Sequence, residues 1–284
     1  MRFAVWALSM TFASLVVPAV SWGQSQTARP TQMGQGELEQ RQGEMAVLTE
    51  LRKSNTVKID PREEAAYRAF YSVKPGDLDK KIQLGNDFLK KFPKSPLAEA
   101  VDAGLVNAYY NKQDWKDFYT AADNALALKP DDVDVLTTVG WVIPHFFHPN
   151  DPDVDARLDK AESFEKRAIQ AMEKMPKPDY LSESQFAALK AQKAVQAHSA
   201  LGLVYFRRED YPNSVKELQQ ATQNNPNPDP TDLFVLGDSL ENLDRYAEAA
   251  EAFDRCSQVP GSLQDRCQQN AAGAKKQAAH SKPE

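Results

Sequence analysis

HSALGLVYFRREDYPNSVKELQQATQNNP, residues 198–226, decides the fold of this chain. Gly202 and Ser214 within it are small, and small residues let two helices approach closely. The larger Leu218 follows four residues after Ser214 and fills the space beside that contact. Pro226 has no backbone N–H to donate, so it stops the second helix. We therefore predict two antiparallel helices that pack along a line through Gly202 and Ser214.

With Leu201 and Tyr205 added, the spacing resembles the tetratricopeptide repeat (TPR) family, W-x₂-L-G-x₂-Y…A-x₃-F…P. The resemblance implies an all-α fold, an α-solenoid of antiparallel helix pairs that winds as a right-handed superhelix. We expect irregular N-terminal repeats and a C-terminal capping helix. A single helix pair leaves one apolar face uncovered, so further pairs must lie beside it.

Further copies of the pattern are present. Gly237 lies 35 residues after Gly202, close to the usual period of about 34. Upstream, Val106 stands where the glycine belongs, and Gly140 begins an irregular repeat. The residues predicted to pack the repeats are Leu105, Tyr109, Ala125, Gly140, Leu201, Gly202, Tyr205, Ser214, Ala221, Leu236, Gly237, Leu240, Ala249 and Phe253.

The N-terminus has the pattern of a secretory signal. Arg2 precedes an apolar run at 3–17, and the small residues Ser21 and Gly23 offer a cleavage site before Gln24. The run is shorter than the ~20 residues that span a membrane. We predict a signal peptide at 1–23, and the alternative is an uncleaved N-terminal anchor. We therefore expect an exported protein that is located in the periplasm.

The rest of the chain divides by composition. The segment 24–43 is rich in Gln and Gly and is predicted to be a disordered linker. Degenerate N-terminal helices are expected at 44–97, and TPR-like repeats at 98–262 with an insertion at about 144–155. A capping helix at 263–274 and a disordered tail at 275–284 complete the prediction. The segment 87–110 also resembles periplasmic TPR proteins of outer-membrane assembly and envelope-division systems.

Cys256 and Cys267 are the only cysteines. An even count in an exported chain favours a disulfide. Cys256 ends the second helix of the last repeat, and Cys267 falls where the capping helix would pack against it. The alternative is a pair of buried free thiols.

The insertion contains two patterns that metals could use. His145 and His148 would bind a metal if a carboxylate converged on them, although they are also consistent with ordinary loop residues. The acidic residues that follow match the spacing of an EF-hand calcium loop, with Ala156 in place of its glycine. The alternative is that Asp151 caps a helix beginning at Pro152. The weak calcium candidates are Asp151, Asp153, Asp155, Asp159 and Glu162.

In the TPR family the first helices of the repeats line a concave groove. The resemblance therefore implies a groove for an extended or helical peptide, with aromatic anchors and amide contacts. The predicted groove residues are Asn107, Tyr110, Asn111, Leu203, Phe206, Arg207, Phe234, Asp238, Glu241 and Asn242.

Composition and motifs narrow the function further. The formal net charge is −6 without basic clusters, which argues against nucleic acid as a partner. No phosphate-binding glycine loop, zinc motif or nucleophile motif occurs, so we expect no enzyme activity and no cofactor. A protein or peptide partner is expected, with no membrane insertion after signal cleavage. A peptide receptor and a structural adaptor subunit remain alternatives, and the oligomeric state stays open.

Overall fold

The computed structural model describes residues 47–49, 51–52, 59–146, 153–223 and 225–280. Within these ranges the ordered elements are helices and no strand occurs. The predicted signal peptide, the linker and His148 lie outside the described residues. The helices are α1 (Pro61–Tyr71), α2 (Leu78–Lys91), α3 (Ala98–Lys112), α4 (Trp115–Leu128), α5 (Val133–His145), α6 (Val154–Lys174), α7 (Glu183–Arg207), α8 (Tyr211–Thr222), α9 (Pro230–Glu241), α10 (Tyr246–Ser257) and α11 (Gln264–His280).

The helices pack as consecutive antiparallel hairpins, so the predicted all-α fold of helix pairs is confirmed. The central hairpins are α3 with α4, α5 with α6, α7 with α8, and α9 with α10. The first helices α5, α7 and α9 also contact one another in sequence, and α11 packs on α10. Each hairpin therefore covers the apolar face of the next, as stacked repeats require.

Helix starts follow from local chemistry. The Asp60 carboxylate accepts a hydrogen bond from the backbone N–H of Arg62 at 2.8 Å, and Pro61 occupies the first turn of α1. Ser182 and Gln185 form a reciprocal capping box at the start of α7. These side chains satisfy backbone N–H groups that have no partner within the helix.

Gly202 and Gly237 occupy equivalent places in adjacent hairpins. A Cβ atom on Gly202 would lie less than 3.0 Å from the side chain of Leu218, and one on Gly237 would lie equally close to Phe253. Leu218 and Phe253 each follow their glycine by 16 residues and are 0% exposed. The opposite helix thus fills the space that a side chain on each glycine would occupy.

Thirteen of the fourteen predicted packing residues are buried, which agrees with their expected role. Tyr205 is the exception, because it is half-buried. Its hydroxyl donates a hydrogen bond to Glu162 of α6 at 2.9 Å. Tyr205 therefore links its own hairpin to the preceding one.

The start of the insertion, predicted at about 144, lies within two residues of the observed helix end. Pro144 is buried inside α5, which ends at His145, and the Phe146 N–H donates to the Val142 carbonyl. Pro144 has no N–H to donate to the residue four positions earlier, and the helix ends one residue after it. The next helix begins after Asp153, at a backbone φ of 64°, so the predicted helix start at Pro152 is displaced.

The predicted end of the capping helix is wrong. Helix α11 continues from Ala274 to His280, which turns the first part of the predicted tail into helix. The segment is rich in alanine and lysine, which favour helix. The Lys275 ammonium also pairs with the Asp254 carboxylate of α10 at 2.8 Å. Residues 281–284 lie outside the described part.

A disulfide joins Cys256 of α10 to Cys267 of α11, with their Cα atoms 5.7 Å apart. The sequence favoured this disulfide over a pair of buried free thiols. Both cysteines are 0% exposed and belong to the apolar core that α9, α10 and α11 share.

The glycine contact can be tested by Gly202→Ala. The added methyl group meets Leu218, which is fully buried and has no room to move, so we expect a loss of about 1–3 kcal/mol in the free energy of unfolding. Urea unfolding followed by circular dichroism measures this loss. The control is Gly273→Ala on α11, whose added Cβ meets nothing within 4 Å and should stabilise by about 0.5–1 kcal/mol. Equal effects of the two substitutions would contradict the assigned contact.

Reduction of the disulfide should lower stability by about 2–3 kcal/mol, because the bond closes a loop whose ends are 11 residues apart. The measurement compares urea unfolding with and without a reductant. The Cys256→Ala/Cys267→Ala variant serves as control and should not respond to the reductant. A wild-type chain that is equally stable when reduced would contradict this expectation.

Candidate functional site

The predicted groove residues lie on the first helices of three hairpins, but they differ in exposure. Asn107, Asn111, Arg207 and Asn242 are exposed, and a second group is half-buried: Tyr110, Phe206, Asp238 and Glu241. These eight residues stay candidates for a binding surface.

Leu203 and Phe234 belong to the core, so their assignment to a free surface is wrong. Leu203 is 2% exposed and Phe234 is 8% exposed. The Phe234 ring packs edge-on against Phe253 with the ring centroids 5.7 Å apart. The Arg266 guanidinium of α11 lies 4.8 Å above the same ring. The capping helix thus covers a side chain that an internal repeat would present.

Two asparagines of the candidate surface have matching geometry. The Asn111 side-chain amide donates to the Asn107 carbonyl at 2.7 Å. The Asn242 amide donates to the Asp238 carbonyl at 2.8 Å. Each bond closes the exposed end of a first helix, and each amide keeps its carbonyl oxygen as an acceptor for a ligand.

An aromatic cluster spans α3, α4 and α5. The Tyr110 ring lies 6.2 Å from Trp115 and 6.3 Å from Trp141, measured between centroids. Trp115 in turn lies 4.6 Å from Phe146. All four side chains retain solvent access, and Phe146 is 37% exposed. We call Tyr110, Trp115, Trp141 and Phe146 the aromatic patch.

Trp141 is not among the predicted groove residues, although the sequence contains a signal for it. Asn107, Leu203 and Asp238 each follow directly the residue in the glycine position of their repeat. Trp141 follows Gly140 in the same way, so the rule that selected the other three also selects it. The irregularity of this repeat concealed the correspondence.

His145 packs against the aromatic patch. Its ring stacks on Trp141 at 3.6 Å, and Nδ1–H donates to the Trp141 carbonyl at 2.7 Å. Burial lowers the pKa of His145 to about 4, against the opposing effects of that carbonyl and of Asp229. Arg207 adds to the lowering. The ring is therefore neutral at pH 7 and serves as a flat aromatic surface.

The described residues provide no metal site. They contain no group of three His, Cys, Asp or Glu side chains that would hold an ion. The Asp159 and Glu162 carboxylates both pair with the Arg208 guanidinium, and Glu162 also pairs with Lys166. Asp155, Asp159 and Glu162 lie along α6 instead of converging in a loop, and Asp151 lies outside the described residues. The calcium loop is thus not formed by the residues whose placement is known.

Two acids of the candidate surface, Asp238 and Glu241, have pKa values above the ordinary range. Burial raises the pKa of Asp238 to about 6, with a further upward contribution from Glu241 and an opposing one from Arg266. Burial also raises the pKa of Glu241. Below about pH 6 the Asp238 side of the surface therefore carries less negative charge than a free carboxylate would.

The protonation of His145 gives a measurable expectation. A histidine in an unfolded chain titrates near pH 6.5, so the stability that neutral His145 supports is present above that pH. It falls as the pH drops toward about 4, because only the unfolded chain accepts the proton easily. The imidazole resonances of His145 in NMR should therefore titrate around pH 4. The His145→Gln variant identifies the resonances, and a midpoint near 6.5 would contradict the buried, stacked arrangement.

No helix among the described residues has both the length and the apolar character needed to cross a bilayer. No curated protein matches the sequence. Residues 199–262 match the profile of the family described as tetratricopeptide repeat.

Solved structures with a similar arrangement of helices share little sequence with this chain. A thermophilic TPR protein from Thermus thermophilus is 17% identical, with 75% of this chain and 99% of that chain covered and a TM-score of 0.45. PilW, a type IV pilus biogenesis factor, is 15% identical, with 78% and 93% covered and a TM-score of 0.49. A tetratricopeptide repeat protein from Parabacteroides merdae is 14% identical, with 78% and 94% covered and a TM-score of 0.40. The profile match and the glycine-centred hairpins fall on the same stretch, residues 199–262, which is similar to tetratricopeptide repeats.

Proposed function

We propose that this chain is a non-enzymatic protein-interaction scaffold that binds a peptide or protein segment along its first helices. The observation that carries the proposal is the aromatic patch together with Phe206 and the exposed asparagines of α3 and α9. Tyr110 and Phe206 each lie four residues after the glycine position of their repeat, and Asn111 and Asn242 each lie five residues after it. A segment of a partner lying across the repeats would meet one such set after another.

The chemistry of these side chains suits a peptide. Large aromatic rings that are half-buried already have restricted rotamers, so they provide contact area at a low entropic cost. The carbonyl oxygens of Asn111 and Asn242 can accept hydrogen bonds from the N–H groups of a partner's backbone. Aromatic anchors with amide contacts are a recurrent means of holding an extended segment.

The proposed place of action is the cell envelope, after export and cleavage of the signal peptide. The charged start, the short apolar run and the small residues before Gln24 support export. The disulfide between Cys256 and Cys267 supports an oxidising compartment such as the periplasm. The alternative role, a structural adaptor subunit of an envelope complex, uses the same surface over a larger area.

The groove is tested by photocrosslinking in intact cells that produce the protein. A photoreactive residue replaces Asn107, which is exposed on α3, and the matched control replaces Gln220, which is exposed on the second helix α8. We expect one discrete adduct from position 107 and none from position 220. Phe206→Ala should lower the yield at position 107 at least about tenfold, as loss of a binding anchor would. Its folding is checked by thermal melting.

Equal labelling from the two positions, or full labelling in the Phe206→Ala variant, would contradict the groove. The adduct also distinguishes the two roles in native gels. A peptide receptor migrates as a monomer with its captured segment, whereas an adaptor subunit migrates in a large complex.

A further inference from the structure

Glu165 of α6 is a charged residue at a place where the other hairpins carry apolar ones. It faces Gly140 of α5, and a Cβ atom on Gly140 would lie less than 3.0 Å from its side chain. Leu218 and Phe253 face Gly202 and Gly237 in the same way. The irregular hairpin α5–α6 therefore has a carboxylic acid in the central packing position of the repeat.

The side chain of Glu165 is fully enclosed. Glu165 is 0% exposed, and neither of its carboxyl oxygens has a hydrogen-bond partner among the described residues. On the opposite helix, Val139 and Val142 flank Gly140 and lie in the apolar core. A carboxylate in such surroundings is very costly, while the neutral acid has a size close to that of leucine and costs much less to bury than the charged form.

The charged groups of the neighbouring helices are engaged elsewhere. On α5, Asp134 pairs with Lys193, and His145 donates to the Trp141 carbonyl. On α7, His198 contacts Glu217 at 2.7 Å. The other titratable side chains of α7 are Glu183, Lys190, Tyr205 and Arg207. None of these groups shifts the pKa of Glu165, which is raised well above its ordinary value by burial alone.

The charged groups of α6 itself are also directed away from Glu165. Lys166 pairs with Glu162 at 2.5 Å, and the Arg167 guanidinium donates to the Pro130 carbonyl. Lys160 pairs with Asp123 of α4 at 3.2 Å. None of these three cations is therefore placed to stabilise an ionised Glu165.

We propose that Glu165 is a pH-sensitive switch inside the hairpin α5–α6. In its neutral form the side chain fills the slot beside Gly140, as Leu218 and Phe253 fill theirs. When the carboxyl group loses its proton, the charge has to reach water, and α6 separates from α5. Trp141 follows Gly140 directly, so the separation changes the contacts of the aromatic patch.

The direction of the pH effect follows from the two states of the chain. Below the ordinary range of a glutamic acid, near pH 4.3, Glu165 is neutral in both the folded and the unfolded chain. As the pH rises, the unfolded chain releases the proton first, so the folded state loses stability. Hence the hairpin is most stable in mild acid and loosens toward alkaline pH.

The first experiment compares Glu165→Gln with wild type in thermal unfolding at pH 5 and pH 8. Glutamine keeps the shape and removes the charge, so its melting temperature should exceed that of wild type by about 4 °C or more at pH 8 and by clearly less at pH 5. Glu165→Leu should behave alike. The matched control is Glu173→Gln, an exposed glutamate on the same helix, which should give no such pH-dependent difference.

The comparison of wild type with Glu165→Gln separates the pH dependence caused by Glu165 from that caused by other acids. Burial also raises the pKa of several carboxyl groups outside this hairpin, and these titrate in both chains: Glu99, Asp102, Asp232 and Asp238. Only the difference between wild type and Glu165→Gln reports the switch. A difference that is the same at both pH values, or a variant less stable than wild type at pH 8, overturns the proposal.

The second experiment follows the hairpin directly. The four tryptophans of the chain are Trp6, Trp22, Trp115 and Trp141, so Trp6→Phe/Trp22→Phe leaves emission from the aromatic patch alone. Between pH 5 and pH 8 this background should show an emission shift that Glu165→Gln abolishes. His145 does not interfere, since its pKa is about 4. A shift that persists in Glu165→Gln would overturn the proposal.

Discussion

The close approach of two helices at a residue without a side chain is the constraint on which this structure depends. At Gly202 and Gly237 the opposite helix inserts Leu218 and Phe253, each fully buried. The contact fixes the distance between the helices of a hairpin and thereby directs the remaining faces of the first helix toward the neighbouring hairpin and toward solvent. Asn107, Trp141 and Asp238 follow from this geometry, because each comes directly after the glycine position of its repeat and so lies about 100° around the helix from the contact.

The hairpin α5–α6 departs from its neighbours in three related ways. It carries an insertion, it places Glu165 opposite its glycine, and it provides Trp141 and His145 of the aromatic surroundings. A repeat that deviates from its own pattern usually gives up stability for another property. Here the enclosed acid lies in the hairpin that contributes Trp141 to the aromatic patch, so that packing and surface chemistry meet there.

The repeat geometry was predictable from the sequence because it rests on local spacing. The positions of Gly202 and Gly237, the cap at Asp60 and the pairing of Cys256 with Cys267 all follow from residues near one another in the chain. Features that depend on residues far apart in the sequence were not predictable from local spacing. Arg208 holds Glu162 across 46 residues. Likewise, only the placement of α11 reveals that Phe234 is covered by Arg266.

The disulfide between Cys256 and Cys267 makes the hairpins at one end of the described stack harder to separate than the others. Stacked repeats come apart from their ends, since an end hairpin has one neighbour where an internal one has two. Helices α10 and α11 are covalently joined, and their cysteines are enclosed. A protease or a pulling force that acts on these two helices therefore meets a crosslink, so in an oxidising compartment they come apart fully only after the bond is reduced.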